Sequence, residues 1–408
     1  MVPVTDRWRI LWLLALAELL IMTLWFSATA VVPQLAVEFG LDDGGKSWLT
    51  MSVQIGFVAG ALGSGVFNLA DRFRAEHVIA ASALLGAGFN AAIAVLEPEF
   101  STVVVLRFLT GVTLAGTYPP GMKVMASWFE RNRGLAIGIL VGALAIGSAG
   151  PHLLNAVPLF GGESGVPPWR PVILAASAMA AAGGLIAALL IKSGPALPAK
   201  SRFNWHAAGR IFTARSVRLA NFGYLGHMWE LYAMWTWAPL MILLSYQAAG
   251  FDDAAARLAG FAVVAIGGAG SIIAGRLADR FGRTTIASMS LVISGTCCLV
   301  AGFLFETPVM LTAVCLVWGF AVVADSAQFS TAVSELAESS HVGTVLTMQT
   351  CTGFLLTMIS IRLVPMLVEN AGWGWAFVML APGPVFGLVS MARLRRLPEA
   401  TRMASGHR

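Results

Sequence analysis

The sequence predicts an all-α membrane protein: twelve transmembrane helices in two pseudo-symmetric six-helix bundles, with both termini cytoplasmic. Three observations predict it. Apolar stretches of about 20 residues recur along the whole chain, and each is long enough to cross about 30 Å of hydrocarbon at about 1.5 Å per residue. Of 408 residues, 57% are hydrophobic and only 12% charged, with a mean hydropathy of +0.78, whereas a soluble domain carries roughly 25% charged residues. The connections between the stretches alternate between arginine-rich and arginine-poor.

The spans are expected near 10–35, 47–69, 78–96, 99–124, 134–158, 169–191, 220–244, 258–276, 284–305, 309–332, 343–367 and 373–392. The first reads as a helix rather than a removable leader, because it has no small-residue cleavage pattern and comparable spans follow it. One set of connections carries Arg7 and Arg9, Arg72 and Arg74, Arg131 and Arg133, the run 192–218, Arg280 and Arg283, and Arg393, Arg395 and Arg396. The other set carries 37–46, 97–99, 161–168, 246–253, Glu306 and Glu369. Basic residues mark the cytoplasmic side of short loops, which places both termini there.

The long connection divides the chain into a six-helix bundle over 1–191, a cytoplasmic linker over 192–218 and a second bundle with a short tail over 219–408. Pro195 and Pro198 read as linker, and 205–214 as a short interfacial helix. A weak internal repeat supports the division. Asp71-Arg72-Phe73 recurs 208 positions later as Asp279-Arg280-Phe281, and Gly111 recurs 208 positions later as Gly319. Two related halves suit alternating access, in which they rock about a central site.

In the second half, Gly275, Asp279, Arg280, Gly282 and Arg283 follow the order Gly, three residues, Asp-Arg, one residue, Gly and a basic residue, between two apolar spans. This resembles the cytoplasmic loop signature of the major facilitator superfamily. In the first half Asp71 and Arg72 remain, but Phe67 and Arg74 stand where the glycines would be. The resemblance implies a twelve-helix transporter fold and a conformational latch at these loops, with Asp71 steadying the outward-facing state and the first-half latch altered. Independently of the family, a carboxylate at a helix end can cap a neighbouring N-terminus or pair with an arginine.

Arg107, Gly111 and Ala115 resemble the family's span-four pattern of an arginine followed by small residues at intervals of four. The resemblance links Arg107 with proton coupling. Gly138, Gly142, Gly147, Gly150 and Pro151 partly resemble the span-five pattern of antiporters, drug exporters among them, with Leu154-Asn155 in place of a glycine pair; close packing and a bend at Pro151 would account for the same residues. Trp128-Phe129, Arg133-Gly134, Ala136 and Gly138 resemble a junction of anion-carrying members such as the nitrate/nitrite and organic-anion porters. The long glycine-asparagine signatures of the nitrate/nitrite porters and the sugar-porter motif are absent.

Six charges fall inside spans: Glu18, Arg107, Glu230 and Asp325, with Lys123 and Arg362 nearer the boundaries. A charge at a span centre costs about 2.5–3.5 kcal/mol even on insertion scales, so these are candidate functional groups. Glu18, Arg107, Glu230 and Asp325 are the expected proton-coupling residues. A buried carboxylate gains proton affinity and a nearby cation lowers it, so alternation between such surroundings loads and releases a proton. His227 and Glu230 share a helix face that continues to Met234 and Trp237. Trp25, Arg107, Tyr118, His152, His227, Glu230, Trp237, Gln328 and Arg362 are the expected substrate contacts. Tyr118-Pro119-Pro120-Gly121 should break span four, because adjacent prolines remove two donors. Permanent pairing of these charges, and simple packing or bending, remain the alternatives.

The four cysteines lie in apolar spans without metal-like spacing and read as core packing. No zinc spacing, phosphate loop, nucleotide-binding motif or nucleophilic triad is present, which argues against an enzyme or an ATP-driven pump. The net charge of +5 lies beside spans and marks topology, not nucleic acid. No metal or prosthetic group is implied. The expected activity is secondary active, proton-coupled transport of a small solute in a bacterial cytoplasmic membrane. Arg107, Lys123 and Arg362 and the Trp128 junction favour an anion. The alternative is a proton antiporter exporting drugs or other organic compounds. Solute, protons and lipid are the expected partners, and the fold can work as a monomer.

Overall fold

In hydrocarbon no water satisfies a backbone amide, so each apolar stretch must close its own hydrogen bonds. The computed structural model is accordingly helical. It describes residues 4–129, 133–157, 168–195, 203–338 and 341–407, with backbone only for 4, 5, 70, 71, 133, 134 and 206. The chain separates into two compact units, Met1–Lys200 and Ser201–Arg408.

In the first unit the helices are α1 (Val4–Met22), α2 (Val32–Phe39), α3 (Asp43–Val66), α4 (Leu69–Arg72), α5 (Ala75–Val95), α6 (Phe100–Leu114), α7 (Tyr118–Trp128), α8 (Arg133–Ala156) and α9 (Trp169–Leu190). The second unit holds α10 (Trp205–Ala208), α11 (Arg210–Thr213), α12 (Arg215–Ala248), α13 (Asp253–Ala265), α14 (Gly267–Phe281), α15 (Arg283–Val300), α16 (Pro308–Ala324), α17 (Ser326–Leu336), α18 (Val342–Val378) and α19 (Pro382–Arg395). Residues 205–214 thus form two single turns, α10 and α11, rather than one interfacial helix. Arg210 of α11 ion-pairs with Glu338. That hydrogen bond holds the Glu338 carboxyl below its ordinary range, so the tie is complete at neutral pH and is lost as the pH falls through the lowered value.

Among the described residues, nine helical stretches are long and apolar enough to cross a membrane. One of them, Val342–Arg395, covers 54 residues, about twice what a bilayer needs. Gly372 interrupts it with φ 78°, a left-handed value that glycine adopts without a Cβ penalty. α1 and α12 are not among the nine. α1 carries Asp6, Arg7, Arg9 and Glu18, and α12 carries Arg215, Arg218, His227 and Glu230.

Small residues set the closest helix contacts. A Cβ at Gly111 of α6 would lie 2.0 Å from the Val53 carbonyl oxygen of α3, and one at Gly56 would lie 1.9 Å from that of Phe108. The second unit repeats the device: Gly319 of α16 against Val263 O at 1.8 Å, and Gly270 of α14 against Phe320 O at 2.2 Å. Such contacts let backbones approach where no hydrophobic force drives helix association. Helix starts repeat as well. Asp42 accepts from Gly45 N at 2.7 Å ahead of α3, and Asp252 from Ala255 N at 3.2 Å ahead of α13, each occupying an orphan amide.

Three interruptions bear on the charged residues. Between α1 and α2 the chain leaves α-helical form over 23–31. Between α6 and α7 it does so at 115–117, just ahead of the break expected at Tyr118–Gly121. The prolines fall in the first turn of α7, where a missing N–H removes no hydrogen bond. Between α16 and α17 the interruption is at Asp325, 208 positions after Thr117.

Gly111→Leu or Gly319→Leu should each destabilise the protein by about 1–3 kcal/mol or more through overpacking against backbone. Gly88→Ala, with nothing within 4 Å of the added carbon, should be neutral. Thermal midpoints in detergent check this; equal midpoints for all three variants would remove the glycine crossings as a constraint.

Candidate functional site

The residues singled out in the sequence fall into separate groups within the two units. In the first unit, Arg107 is completely buried. Its Nε donates to Leu49 O at 3.2 Å, its Nη1 to Leu24 O at 2.8 Å and Ser27 Oγ at 3.0 Å, and its Nη2 to Trp25 O at 2.5 Å. Asn90 Oδ1 lies 3.3 Å from Nη1, and the Asn90 amide goes on to Ser177 Oγ at 2.9 Å. The carbonyls of Leu24 and Trp25 are available because α1 has ended at Met22. The guanidinium thus fills the place of the lost helical donors, and its fork matches several acceptors at once. Two partners, Ser27 and Asn90, read in the sequence as ordinary small polar residues of apolar spans.

Glu18, four residues before that interruption, is also completely buried, and neither carboxylate oxygen has a hydrogen-bond partner among the described residues. One oxygen sits where a Cβ on Gly121 would be, at 2.1 Å, so this glycine makes room for the carboxylate. Tyr118 lies within electrostatic reach of it. Trp25 packs its ring on Phe57 at 5.0 Å. His152 is buried in α8 with no hydrogen-bond partner for Nε2 among the described residues.

The second unit gathers more of the predicted residues. His227 Nδ1 lies 2.8 Å from Asp325 Oδ1, both completely buried, in a close contact that is not a well-directed hydrogen bond. Asp325 stands at the junction of α16 and α17, where its own carbonyl accepts from Gln328 N at 2.9 Å. One turn from His227 on α12, Glu230 is completely buried. Cys298 Sγ donates to Glu230 Oε2 at 3.0 Å, and Ser294, one turn away on α15, faces the same carboxylate. Cys298 is therefore more than the packing residue the sequence suggests.

From Asp325 the polar contacts continue along α17. Gln328 Oε1 accepts from Arg283 Nη1 at 3.3 Å. Arg283 then grips Glu335 with two parallel bonds, Nε to Oε2 at 2.8 Å and Nη2 to Oε1 at 2.7 Å, and lies 3.4 Å from Asp279. Glu335 Oε2 also accepts from Ala404 N at 3.2 Å. Glu335 is a residue the sequence reading misses; the only sequence signal is an acid facing an otherwise basic set of loops.

The remaining signature residues have backbone roles. Gly282 joins α14 to α15 with φ 95°, which a side chain disfavours. Arg280 reaches over the Phe281 ring at 5.1 Å, and Gly275 is buried in α14. In the first half Arg74 occupies the corresponding place with an ordinary φ of −67°, and Asn68 takes the left-handed position at φ 49°. The first-half turn between α4 and α5 is thus made without a positive φ, and Asn68 lies at the separate break between α3 and α4. Arg72 closes α4 and is exposed; the Asp71 side chain lies outside the described residues.

Trp237 Nε1 donates to Ile361 O at 2.9 Å. That carbonyl lies four residues before Pro365, whose ring cannot return the helical bond. Arg362 next to it is half-buried, and its Nη1 has no hydrogen-bond partner among the described residues.

Arg107→Gln should strip donors from several buried carbonyls, each worth about 1–3 kcal/mol when left unsatisfied. Hydrogen–deuterium exchange over 23–31 should accelerate while α9 stays protected; unchanged exchange there would deny Arg107 its holding role.

Comparison with known proteins places this geometry. The model of the Major Facilitator Superfamily matches residues 14–361, and again 222–407. The chain is 32% identical to the 4-hydroxybenzoate transporter PcaK of Pseudomonas putida over 137 residues, 33% of this chain and 30% of that protein. It is 28% identical to a probable nitrate/nitrite antiporter of Thermus thermophilus over 40% of this chain and 38% of that protein. It is 25% identical to the 3-(3-hydroxy-phenyl)propionate transporter of Escherichia coli over 64% and 61%. The aligned part thus spans about a third of the first curated relatives. Among solved structures, the proton:xylose symporter XylE superposes with a TM-score of 0.72 at 15% identity, covering 95% of this chain and 96% of that one. A bacterial homologue of the lysosomal transporter Spinster gives 0.68 at 15% identity, covering 99% and 98%. Both share the fold. With the family model matching most of its length, this all-α, multi-pass membrane protein, of the kind housed in bacterial inner membranes, belongs to the Major Facilitator Superfamily of transport proteins.

Proposed function

We propose that the chain is a secondary active transporter that moves a small organic anion by alternating access, coupled to protons through its second half. The proposal counts twelve spans: the nine apolar stretches, with Val342–Arg395 taken as two because Gly372 interrupts it, together with α1 and α12. On this reading residues 1–191 and 219–408 are the two bundles, 192–218 is the cytoplasmic linker, and both termini are cytoplasmic.

The observation that carries proton coupling is the burial of Glu230, His227 and Asp325 around one helix interruption. With the imidazole protonated, the three groups sum to one net negative charge, and one further proton makes the set neutral. A cluster that alternates between those counts carries one proton per cycle, with Cys298 and Ser294 holding the Glu230 carboxylate in place. Asp325 sits between two helices rather than within one, so a hinge of α17 against α16 changes its distance to His227 and with it the preferred proton count. Glu18 is the second carboxylate able to load a proton. Arg107, with its donors committed to carbonyls, serves as a positioning residue, while Arg362 has a donor to offer a carboxylate. Asp279, Arg280 and Arg283, with Asp71 and Arg72 in the first half, form the latch that senses the state of the cytoplasmic loops.

An aromatic carboxylate is the favoured substrate class. Two relatives are transporters of 4-hydroxybenzoate and of 3-(3-hydroxy-phenyl)propionate, and Trp25, Tyr118 and His152 supply flat surfaces among the expected contact residues.

Proteoliposomes reporting internal pH should acidify on addition of 4-hydroxybenzoate and not of xylose or a lipophilic cation. Glu230→Gln should abolish that signal while leaving exchange of labelled substrate at equilibrium. Proton flux at the parent rate in Glu230→Gln would remove Glu230 from coupling. A response to the lipophilic cation alone would replace the anion reading with organic-cation export.

A further inference from the structure

One cavity in the second unit belongs to none of the groups above. It has a volume of about 430 Å³ and is lined by Arg215, Arg218, Leu219, Arg393, Arg396 and Leu397. Volumes of about 300–1,000 Å³ are usual for small-molecule sites. The lining comes from the first turn of α12 and the last turn of α19.

The charge arrangement is unfavourable unless something negative joins it. Cations at the C-terminal end of α19 are favoured by its dipole, but Arg215 and Arg218 stand at the N-terminal end of α12, where the dipole already carries positive partial charge. Ala214, the N-cap, supplies no side-chain acceptor. Three other arginines of this unit have side-chain partners: Arg210 in Glu338, Arg283 in Glu335 and Asp279, and Arg395 in Thr285. Arg218 has one carbonyl, Phe212 O at 3.3 Å. Among the described residues, none of the four cavity arginines has an ion pair with a carboxylate. Four guanidiniums thus converge on one space, each with forked donors that match phosphate oxygens.

The surroundings are those of a membrane interface. Leu219 and Leu397 give the cavity an apolar side, and the turns leading into α12 expose Trp205 and Phe212. Aromatic residues beside arginines are characteristic of the headgroup level. Basic pockets between transmembrane helices on the cytoplasmic side suit anionic headgroups.

We infer that this cavity binds the phosphate headgroup of an anionic phospholipid of the inner leaflet. The phosphodiester takes the four guanidiniums, and the glycerol and first acyl carbons lie on Leu219 and Leu397. The leaflet assignment rests on the cytoplasmic placement of the linker and tail proposed above. Lipid bound there would tie α12 to α19.

The test is native mass spectrometry of the full chain in neutral detergent, titrated with dioleoyl phosphatidylglycerol, dioleoyl phosphatidylcholine or glycerol phosphate. Phosphatidylglycerol should be retained in preference to phosphatidylcholine. At about 1 kcal/mol per arginine, the double variant Arg218→Gln/Arg396→Gln should bind it about thirtyfold more weakly, while Arg402→Gln, outside the cavity, should match the parent. Size-exclusion profiles and circular dichroism establish that the variants are folded. Equal retention by parent and double variant would overturn the site. Displacement by glycerol phosphate at equal concentration would overturn the lipid assignment in favour of a soluble phosphate compound. Labelling of Thr401→Cys in sealed right-side-out vesicles reads the topology separately: protection there supports the inner leaflet, and modification overturns that leaflet.

Discussion

Every backbone polar group in a bilayer must find a partner within the protein, and at several points where a helix stops short this chain supplies a side chain. Arg107 serves the carbonyls left by the end of α1, and Asn155 Nδ2 donates to Ala30 O at 2.7 Å a little further along the same interruption. Trp237 serves the carbonyl that Pro365 cannot reach. Thr23 Oγ1 is shared between Leu20 O and Ala176 O. These side chains occupy carbonyls that the broken helices leave open, and several of the buried ionisable residues lie beside the breaks. A donor inserted into such a break holds one geometry until the helices move, after which its carbonyls need another.

The two units are related in architecture and unequal in chemistry. Both pack a glycine of the helix before the break, Gly111 or Gly319, against a carbonyl of the neighbouring helix. Both interrupt that helix at corresponding positions. At the first interruption the buried residue is Thr117, and at the second it is Asp325 against His227. A hydroxyl carries no charge at neutral pH, whereas a carboxyl and an imidazole are titratable groups. The repeated scaffold supplies the interruption twice, and a single residue difference puts a hydroxyl at one copy and a carboxylate at the other. The signature loops diverge similarly: the place of Gly282, at φ 95°, is taken in the first half by Arg74 at φ −67°.

The helices were legible because hydropathy and length are local properties of the sequence. The close contacts at Gly111 and Gly319 were legible as a repeat. The pairing of the charges was not. Six intramembrane charges allow several pairings, and Asp325 meets His227, a residue whose neutral form the count of charges ignores. Arg107 reads as a cation in search of an anion, yet its main partners are carbonyls that become acceptors only after α1 has stopped at Met22, which no side-chain pattern announces. Pro119 and Pro120 signalled an interruption but not that they would start the next helix. Glu335 went unremarked because a glutamate near a span end usually faces solvent; only the fixed direction of Arg283 from the Gly282 turn makes it a partner. Cys298 looked like packing because a thiol's weak donor capacity matters only beside a buried carboxylate.

The bond from Ala404 to Glu335 bears on how the protein can be handled at the bench. Glu335 receives Arg283 with two bonds and the backbone amide of residue 404 with a third, so the polypeptide after α19 is stitched to the loop between α14 and α15. An affinity tag or fluorescent fusion placed immediately after residue 404 would pull on that stitch. A spacer, or attachment at the other end of the chain, leaves the arginine and its carboxylate as the folded protein has them.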